Sequence, residues 1–298
     1  MTEVVSGGLR LAVYAEPGGP GPVVLLVHGY PDTHAVWTMI HAELGSELRV
    51  VRYDVRGAGA SQAPRQRAGY RLEHLAEDLF AVADAVSPDA PVHLVAHDWG
   101  SIQAWHAVTD PRAAGRIASF TSISGPCLDH TGYWLRERIR RPTPRRAAAL
   151  LRQGAKSWYI YAFHLPLLTP FVWRRLGPRW GALLRRAEGV EPRPEHPAPT
   201  LVADATRGIE LYRANMRARM FRPEPRYARV PVQLISPLAD RFVSPALAED
   251  LERWVPDLRR RTLPCGHWGA LTGSAPRTAE LIRTFIADVE ARAGRSAA

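Results

Sequence analysis

The sequence predicts an α/β protein with a mostly parallel central sheet and a helical cap inserted between two of its strands. Through the first 125 residues, short apolar runs alternate with helical patterns, which is typical of a parallel sheet covered on both faces. The next hundred residues instead contain helical segments broken by prolines and rich in aromatic residues, and the alternation then resumes. We therefore expect a core of residues 1–125 and 226–298 and a cap of residues 126–225.

The core elements follow one another at regular intervals. The predicted strands are Val23–Val27, Leu48–Tyr53, Val92–Val95, Ile117–Ile123, Val230–Ile235 and Asp257–Leu263. Leu72–Val86 has apolar residues at helical spacing, and a last amphipathic helix is expected near Pro276–Ala291. Because open parallel sheets form their binding crevice at the carboxyl ends of the strands, residues just after each strand are the candidates for a site.

Composition limits the class of protein. The chain has 298 residues, of which 46% are hydrophobic and 23% charged, as in soluble globular proteins. No apolar run approaches the ~18 residues of a membrane span, and the start MTEVVSGGLR does not resemble a secretory signal. Cys127 and Cys265 lie far apart without metal-ligand spacing. We expect a cytoplasmic protein with no bound metal or organic cofactor.

The net charge of +10 comes almost wholly from arginine, because Lys156 is the single lysine among 39 basic residues. The arginines cluster at Arg136–Arg146 and again between positions 174 and 186. No nucleic-acid-binding motif accompanies them, so we expect no nucleic-acid partner and interpret the clusters as a solvated helical surface. Weak contact with an anionic membrane surface is the alternative. The oligomeric state is open.

The segment Ala96–Gly100 (AHDWG) has the pattern of a nucleophile elbow. An apolar strand precedes it, a helix follows it, and small residues flank Asp98 where backbone segments approach closely. Asp98 at the tip of such a turn predicts a carboxylate nucleophile. A carboxylate attacks saturated carbon well, whereas its attack on an amide would give a labile anhydride. The pattern therefore favours epoxides or alkyl halides over peptides as substrates.

Asp240 and His267 complete a candidate triad with Asp98. Each of the three follows a predicted strand, and their order in the chain (nucleophile, acid, histidine) is that of a known hydrolase triad. Asp129 also follows a strand end, so it competes with Asp240 for the position of the acid. We expect Asp240 because it lies in the turn Asp240–Val243, which resembles the usual acid turn.

The chain resembles the α/β-hydrolase superfamily over essentially its full length and, within it, the cap-bearing epoxide hydrolases. The motif HGYP at His28–Pro31 and the turn DVRGAGAS at Asp54–Ser61 carry this resemblance together with the elbow. It implies an oxyanion hole formed by the backbone N–H groups of Tyr30 and Trp99. His28, His97, Asp54 and Arg56 are expected to be structural.

The resemblance also implies two cap tyrosines that act as acids on the epoxide oxygen. Ser157–Pro166 matches one family segment and places Tyr159, while Leu211–Met216 matches the other and places Tyr212. Tyr161 competes with Tyr159, but positions two apart on a helix point ~200° apart, so only one can face the pocket. Trp158, Phe163 and the side chain of Trp99 are expected to contact the substrate.

The implied activity is hydrolysis of a small apolar epoxide to a vicinal diol. Asp98 would form a glycol ester, and His267, oriented by Asp240, would activate the water that hydrolyses it. A haloalkane dehalogenase is the first alternative, since it shares the Asp nucleophile and Trp99 could donate to a halide. Those enzymes usually have an asparagine at the position of Tyr30, however. A non-catalytic ligand-binding module is the second alternative.

Overall fold

The computed structural model describes residues 1–16, 18–165, 168–193 and 195–297, the side chains of residues 296 and 297 excepted. Its strands are β1 (Thr2–Ser6), β2 (Leu9–Ala15), β3 (Val23–Val27), β4 (Arg49–Tyr53), β5 (Val92–His97), β6 (Ile117–Ile123), β7 (Val232–Pro237) and β8 (Leu258–Leu263). They form one sheet in the order β1-β2-β4-β3-β5-β6-β7-β8. Strands β3 to β8 run parallel, and β1 and β2 are antiparallel. The predicted mostly parallel sheet is confirmed.

The helices cover both faces of this sheet and fill the interval between β6 and β7. They are α1 (Thr38–Leu44), α2 (Leu72–Val86), α3 (Trp99–Val108), α4 (Ala113–Arg116), α5 (Leu128–Arg140), α6 (Pro144–Lys156), α7 (Trp158–Phe163), α8 (Leu168–Leu176), α9 (Trp180–Glu188), α10 (Leu201–Phe221) and α11 (Ala275–Ala297). Helix α2 has the predicted bounds, and α11 continues past the predicted Ala291. Helices α5 to α10 lie between β6 and β7, and we call them the cap helices.

The apolar residues of the central strands contribute to two buried clusters, one on each face of the sheet. In β3, Leu25 and Val27 belong to the buried cluster that includes α2 and α3, whereas Val24 and Leu26 belong to the cluster that includes α1 and α11. This division follows from the two-residue period of a strand. It explains why a run with no polar residue is a strand here, because both of its faces are covered.

The cap helices pack on the core through a third apolar cluster. Tyr30 and Trp99 from the core meet Trp173 of α8 and Leu211 and Tyr212 of α10 in this cluster. It lies at the carboxyl ends of β3 and β5, so the core and cap enclose the edge where the candidate site residues stand. Among the described residues, no helix has the length and apolar character needed to cross a membrane.

Candidate active site

The elbow holds Asp98 in a conformation that few L-residues adopt. Its φ is 52° and its ψ is −125°, between the end of β5 and the start of α3. The small neighbours are required by close contact: a Cβ on Gly100 would lie 2.2 Å from the Val27 carbonyl oxygen, and one on Gly125 would lie 2.2 Å from the Asp98 carbonyl oxygen. Such strain persists only where the surroundings fix it, and it is concentrated at functional sites.

The two carboxylate oxygens of Asp98 have different surroundings. Oδ1 accepts a hydrogen bond from the backbone N–H of Tyr30 at 2.8 Å, and the N–H of Trp99 also stabilises the carboxylate. Oδ2 faces His267. Burial raises the pKa of Asp98 to about 6, against the opposing effects of His267 and the two amides. The two N–H groups expected to form the oxyanion hole therefore both act on the carboxylate of Asp98, and that of Tyr30 is hydrogen-bonded to Oδ1.

His267 lies between Asp98 and Asp240. Its Nε2 is 3.6 Å from Oδ2 of Asp98, and its Nδ1 is 2.9 Å from Oδ2 of Asp240. The other oxygen of Asp240 accepts the backbone N–H groups of Phe242 at 2.7 Å and Val243 at 2.9 Å. Burial alone would lower the pKa of His267, but Asp240 above all raises it to about 9. Burial opposes ionisation of Asp240, yet His267 and the two amides lower its pKa to about 2.

Asp129 interacts with Arg226 and Glu224, and no contact joins it to His267 among the described residues. In the first turn of α5 it forms an ion pair with Arg226 at 2.8 Å and accepts the backbone N–H of Glu224 at 2.9 Å. These contacts join the first cap helix to the segment by which the chain returns to the core. The structure therefore brings Asp240, and not Asp129, to the imidazole.

Tyr159 of α7 and Tyr212 of α10 lie close together on the inner side of the cap. Their ring centroids lie 6.0 Å apart, and the Tyr212 ring lies 4.7 Å from that of Trp99. Burial raises the pKa of both phenols, and the negative charge of Asp98 raises it further. Phe163 also contacts this group, with its ring 4.9 Å from that of Tyr212. Tyr161, in contrast, is 74% exposed, so α7 turns Tyr159 and not Tyr161 towards the site.

The expectation that Trp158 contacts the substrate is not met by its position. Its side chain is 68% exposed on the outer face of α7. Consecutive helical positions differ by about 100°, and the helix that turns Tyr159 inwards therefore turns Trp158 outwards. Pro166, the last residue of the matched segment, lies outside the described residues.

The residues expected to be structural form hydrogen bonds and ion pairs within the core. His28 accepts the backbone N–H of Val55 at 2.9 Å, and Arg56 forms a buried ion pair with Asp78. Asp54 accepts the N–H of His34 at 2.9 Å. His97 donates through Nε2 to the His267 carbonyl at 3.1 Å, and burial lowers its pKa to about 3, so this ring stays neutral.

Two further residues lie near His267, and no sequence motif indicates their position there. Phe242, in the acid turn, lies with its ring 5.0 Å from the imidazole and 5.6 Å from the Tyr159 ring. Glu188 ends α9, and its carboxylate rests on the loop before His267: a Cβ on Gly266 would lie 2.1 Å from Oε2. That oxygen is buried with no hydrogen-bond partner among the described residues. Burial raises the pKa of Glu188, while the charge of His267 opposes the rise.

Within the described part of the chain, no three His, Cys, Asp or Glu side chains are grouped as a metal site requires. The arrangement that does exist joins a strained carboxylate, a histidine held by a second carboxylate, two backbone donors and two buried phenols. It can attack a carbon, stabilise an oxyanion and move protons at both ends of a reacting group.

Comparison with known proteins agrees with this geometry. A family model described as "alpha/beta hydrolase fold" matches residues 22–274. A Mycobacterium tuberculosis protein named "Probable oxidoreductase EphD" is 38% identical over 272 residues, covering 89% of this chain and 46% of that protein. The human "Epoxide hydrolase 4" is 32% identical over 170 residues, covering 57% of this chain and 42% of that protein. The chain thus spans less than half the length of these curated relatives.

Solved structures give the same architecture. The crystal structure of a Bacillus megaterium epoxide hydrolase in complex with an inhibitor superposes with a TM-score of 0.76 at 18% identity, covering 96% of this chain and 99% of that one. At that level of identity the likeness establishes the fold.

Proposed function

The chain belongs to the α/β-hydrolase superfamily, and from that premise we propose that it is an epoxide hydrolase acting through a covalent ester of Asp98. The observation that carries the proposal is the pairing of Tyr159 and Tyr212 in the buried cluster beside Trp99, where the charge of Asp98 acts on both phenols. Acids placed opposite a carboxylate nucleophile are what opening an epoxide requires, because the leaving oxygen stays attached to the product. Relatives named as epoxide hydrolases support the same activity.

In the first step Oδ2 of Asp98 attacks a ring carbon and the C–O bond of the epoxide breaks. Oδ2 is the free oxygen, since Oδ1 is held by the Tyr30 N–H. One of the two tyrosines protonates the departing alkoxide and the other donates a hydrogen bond to it. The ester forms with Oδ1 as its carbonyl oxygen, so the Tyr30 N–H is already in place for the second step.

In the second step His267 takes a proton from a water molecule, and the resulting hydroxide attacks the ester carbonyl carbon. The negative charge that develops on Oδ1 is held by the N–H groups of Tyr30 and Trp99, a type of contact worth about 3–4 kcal/mol per donor in hydrolases. As the diol leaves, its oxygen takes the proton from His267. The second proton of the water restores the tyrosine hydroxyl, so the protons balance.

The competing activities fit the geometry less well. A dehalogenase needs donors to a halide, yet the side chain at position 30 is a phenol that donates to the Ala205 carbonyl at 2.9 Å and so is committed to helix α10. The name "oxidoreductase" belongs to a relative of which this chain covers 46%, so it does not decide the activity of the matched part. In a protein that only binds a ligand, the contacts of His267 with Asp98 and Asp240 would have no function.

The deciding experiment combines a product assay with isotope labelling. The protein is incubated with an aryl epoxide and, separately, with a bromoalkane, and diol and bromide are measured. After many turnovers in heavy-oxygen water, the peptide containing Asp98 should carry the label, because water attacks the ester carbonyl. An Asp98→Asn variant is the control that should stay unlabelled and inactive.

Three results would contradict the proposal in different ways. Bromide without diol would indicate a dehalogenase. Diol with no label in the peptide would mean that water attacks the epoxide directly. Neither product from a panel of apolar epoxides would favour the binding module.

A further inference from the structure

Positive charge is concentrated on one part of the surface. Between residues 136 and 188, which span most of helices α5 to α9, the sequence has 13 arginines and lysines against two carboxylates. This segment alone has a larger positive excess than the whole chain, whose net charge is +10. The rest of the molecule is therefore nearly balanced, and the basicity is a property of the cap.

Most of these charges are not neutralised by the protein. Among the described residues, no carboxylate lies within ion-pair distance of eight of the arginines. They are Arg136, Arg140, Arg141, Arg152, Arg174, Arg175, Arg179 and Arg186. A cluster of unpaired cations attracts an anionic partner.

Large apolar side chains lie among these arginines and point to solvent. Trp158 and Tyr161 of α7 are 68% and 74% exposed, and Phe171 of α8 is 57% exposed. Their spacing places Trp158 and Tyr161 on one side of α7, and Phe171 on the same side of α8 as Leu168 and Val172. The Arg175 guanidinium lies 5.0 Å above the Phe171 ring.

Both of these apolar sides lie on the exterior of the cap. Helices α7 and α8 contact each other, and both pack on α10. Their inward residues, Phe163 and Trp173, join the buried cluster with Tyr212, so their opposite sides form the exterior of the cap. Leu151 of α6 is also 75% exposed. We call the exposed sides of α6, α7 and α8 the outer cap face.

We propose that the outer cap face binds the surface of an anionic lipid membrane. Arginine attracts acidic headgroups, and tryptophan, tyrosine and phenylalanine insert at the boundary between headgroups and acyl chains. A nucleic acid would satisfy the arginines and could stack on aromatic rings. It would leave aliphatic side chains such as Leu151, Leu168 and Val172 in water, whereas a lipid surface covers them.

Membrane binding of this face has a consequence for substrate supply, which rests on the proposed function. Helix α7 carries Trp158 and Tyr161 on its outer side and Tyr159 on its inner side. Docking would place only this helix and its neighbours between the lipid and the tyrosine pair. An apolar epoxide dissolved in the membrane would then reach Asp98 without crossing bulk water.

The test measures membrane binding with no substrate present. The protein is floated with vesicles of phosphatidylcholine alone and of phosphatidylcholine with phosphatidylglycerol. We expect binding to the anionic vesicles that weakens with added salt, and weak binding to the neutral ones. Arg174→Gln, Arg175→Gln and Arg179→Gln together should lower the affinity by about 100-fold, and Tyr161→Ser with Phe171→Ser should lower it at least several-fold.

Arg65→Gln, Arg229→Gln and Arg261→Gln together are the matched control, because all three arginines are exposed on the core and none has an ion-pair partner among the described residues. This variant should bind as the parent does. Quenching of Trp158 fluorescence by brominated lipid, lost in Trp158→Phe, would report insertion directly. All variants should keep their thermal stability and their turnover of a water-soluble epoxide, so failure of this proposal is distinguishable from failure of the proposed function.

Three outcomes would overturn the proposal. The parent protein could remain unbound at low salt. It could bind anionic vesicles with the same affinity as the Tyr161→Ser, Phe171→Ser variant, which would indicate charge attraction without insertion. It could bind a single-stranded RNA oligonucleotide in preference to vesicles, which would assign the face to nucleic acid.

Discussion

The Nε2 atom of His267 lies 3.6 Å from Oδ2 of Asp98, while Oδ1 of the same carboxylate is held by the Tyr30 N–H at 2.8 Å. In the mechanism that we propose, the base thus faces the oxygen that attacks, and the Tyr30 donor faces the oxygen that becomes the ester carbonyl. The two half-reactions consequently use different groups, and they can be separated by substitution.

His267→Gln should trap the ester. Ester formation needs Asp98 and the tyrosines, whereas hydrolysis needs a base that glutamine cannot supply, so the second step should slow by about 10²–10⁴-fold. Intact-protein mass spectrometry after mixing with an epoxide should show an adduct of the substrate's mass, and mass spectrometry of a digest should locate it on the peptide containing Asp98. His164→Gln, which alters an exposed cap histidine, should turn over normally. An inactive His267→Gln protein with no adduct would place His267 in the first step.

Removing the two phenols should affect the first step alone. Tyr159→Phe or Tyr212→Phe should slow ester formation by about 10–100-fold, and the double variant by about 10⁴-fold, because the alkoxide then lacks its acid. Stopped-flow quenching of tryptophan fluorescence can follow this step. Tyr161→Phe is the matched control on the same helix, since that side chain is 74% exposed. Equal activity of the double variant and the parent would show that the proton donors are misassigned.

The two steps should respond to pH differently. Asp98 must be ionised to attack, and its pKa of about 6 means that ester formation falls as the pH drops below that value. His267 must be neutral to accept a proton, and its pKa of about 9 applies while Asp98 and Asp240 are both charged. Ester formation removes the charge of Asp98. The pKa of His267 then falls, so hydrolysis should reach its plateau at a pH below 9.

Rapid-quench measurement of ester formation and ester decay over a range of about pH 5 to pH 10 tests this difference. Two separate acid limbs are expected, the first near the pKa of Asp98. A single limb shared by both steps would mean that one group controls the whole reaction.

Substitution of Asp240 should affect the rate of ester hydrolysis, whereas substitution of Asp129 should affect stability. Asp240→Asn removes the charge that stabilises the imidazolium and should slow ester hydrolysis by about 10²–10⁴-fold. Asp129→Asn breaks the ion pair with Arg226 and should lower the free energy of unfolding by about 1–3 kcal/mol with little change in either rate constant. Thermal unfolding and single-turnover kinetics on both variants measure this contrast. The reverse pattern would make Asp129 the acid.

The sequence predicts the sheet and places Asp98, Asp240 and His267 just after strands, because each of these features depends on a local pattern. An apolar run predicts β3, and a tight turn of small residues predicts the strained position of Asp98 between β5 and α3. The hairpin of β1 and β2 was not identified, because its mixed residues lack a clear alternation and its turn relies on Gly7 and Gly8 at φ values of 54° and 77°. The outward position of Trp158 depends on how α7 packs on α10. The six residues of α7 contain no sequence pattern that indicates this packing.

Glu188 illustrates the same limit most clearly, because it precedes His267 by 79 positions in the chain. Packing of α9 on the loop after β8, where the rings of Trp180 and Trp268 lie 5.8 Å apart, brings its carboxylate beside Gly266. The groups around the imidazole are then Asp98 and His97 at the end of β5, Asp240 after β7 and Glu188 from the cap. The Lys156 ammonium donates to the Asp240 carbonyl, and Arg241 lies near Glu188.

Glu188→Gln should therefore lower the pKa of His267, because it removes one of the negative charges that raise it. An imidazolium that is less stabilised makes a weaker base, so ester hydrolysis should slow by about tenfold or less on its plateau, and its acid limb should move to lower pH. Ester formation should keep its rate and its own limb near the pKa of Asp98. Single-turnover decay of the ester across the pH range measures both changes.

The control is Glu191→Gln, three residues further along the chain, whose carboxylate is exposed and paired with Arg185 at 3.0 Å. It removes the same charge from the cap and should move neither limb. Glu188→Asp should restore part of the parent profile if charge is what matters. A slower Glu188→Gln enzyme with an unmoved acid limb would mean that the carboxylate only supports the loop before His267. The basicity of the histidine would then depend on the two aspartates alone.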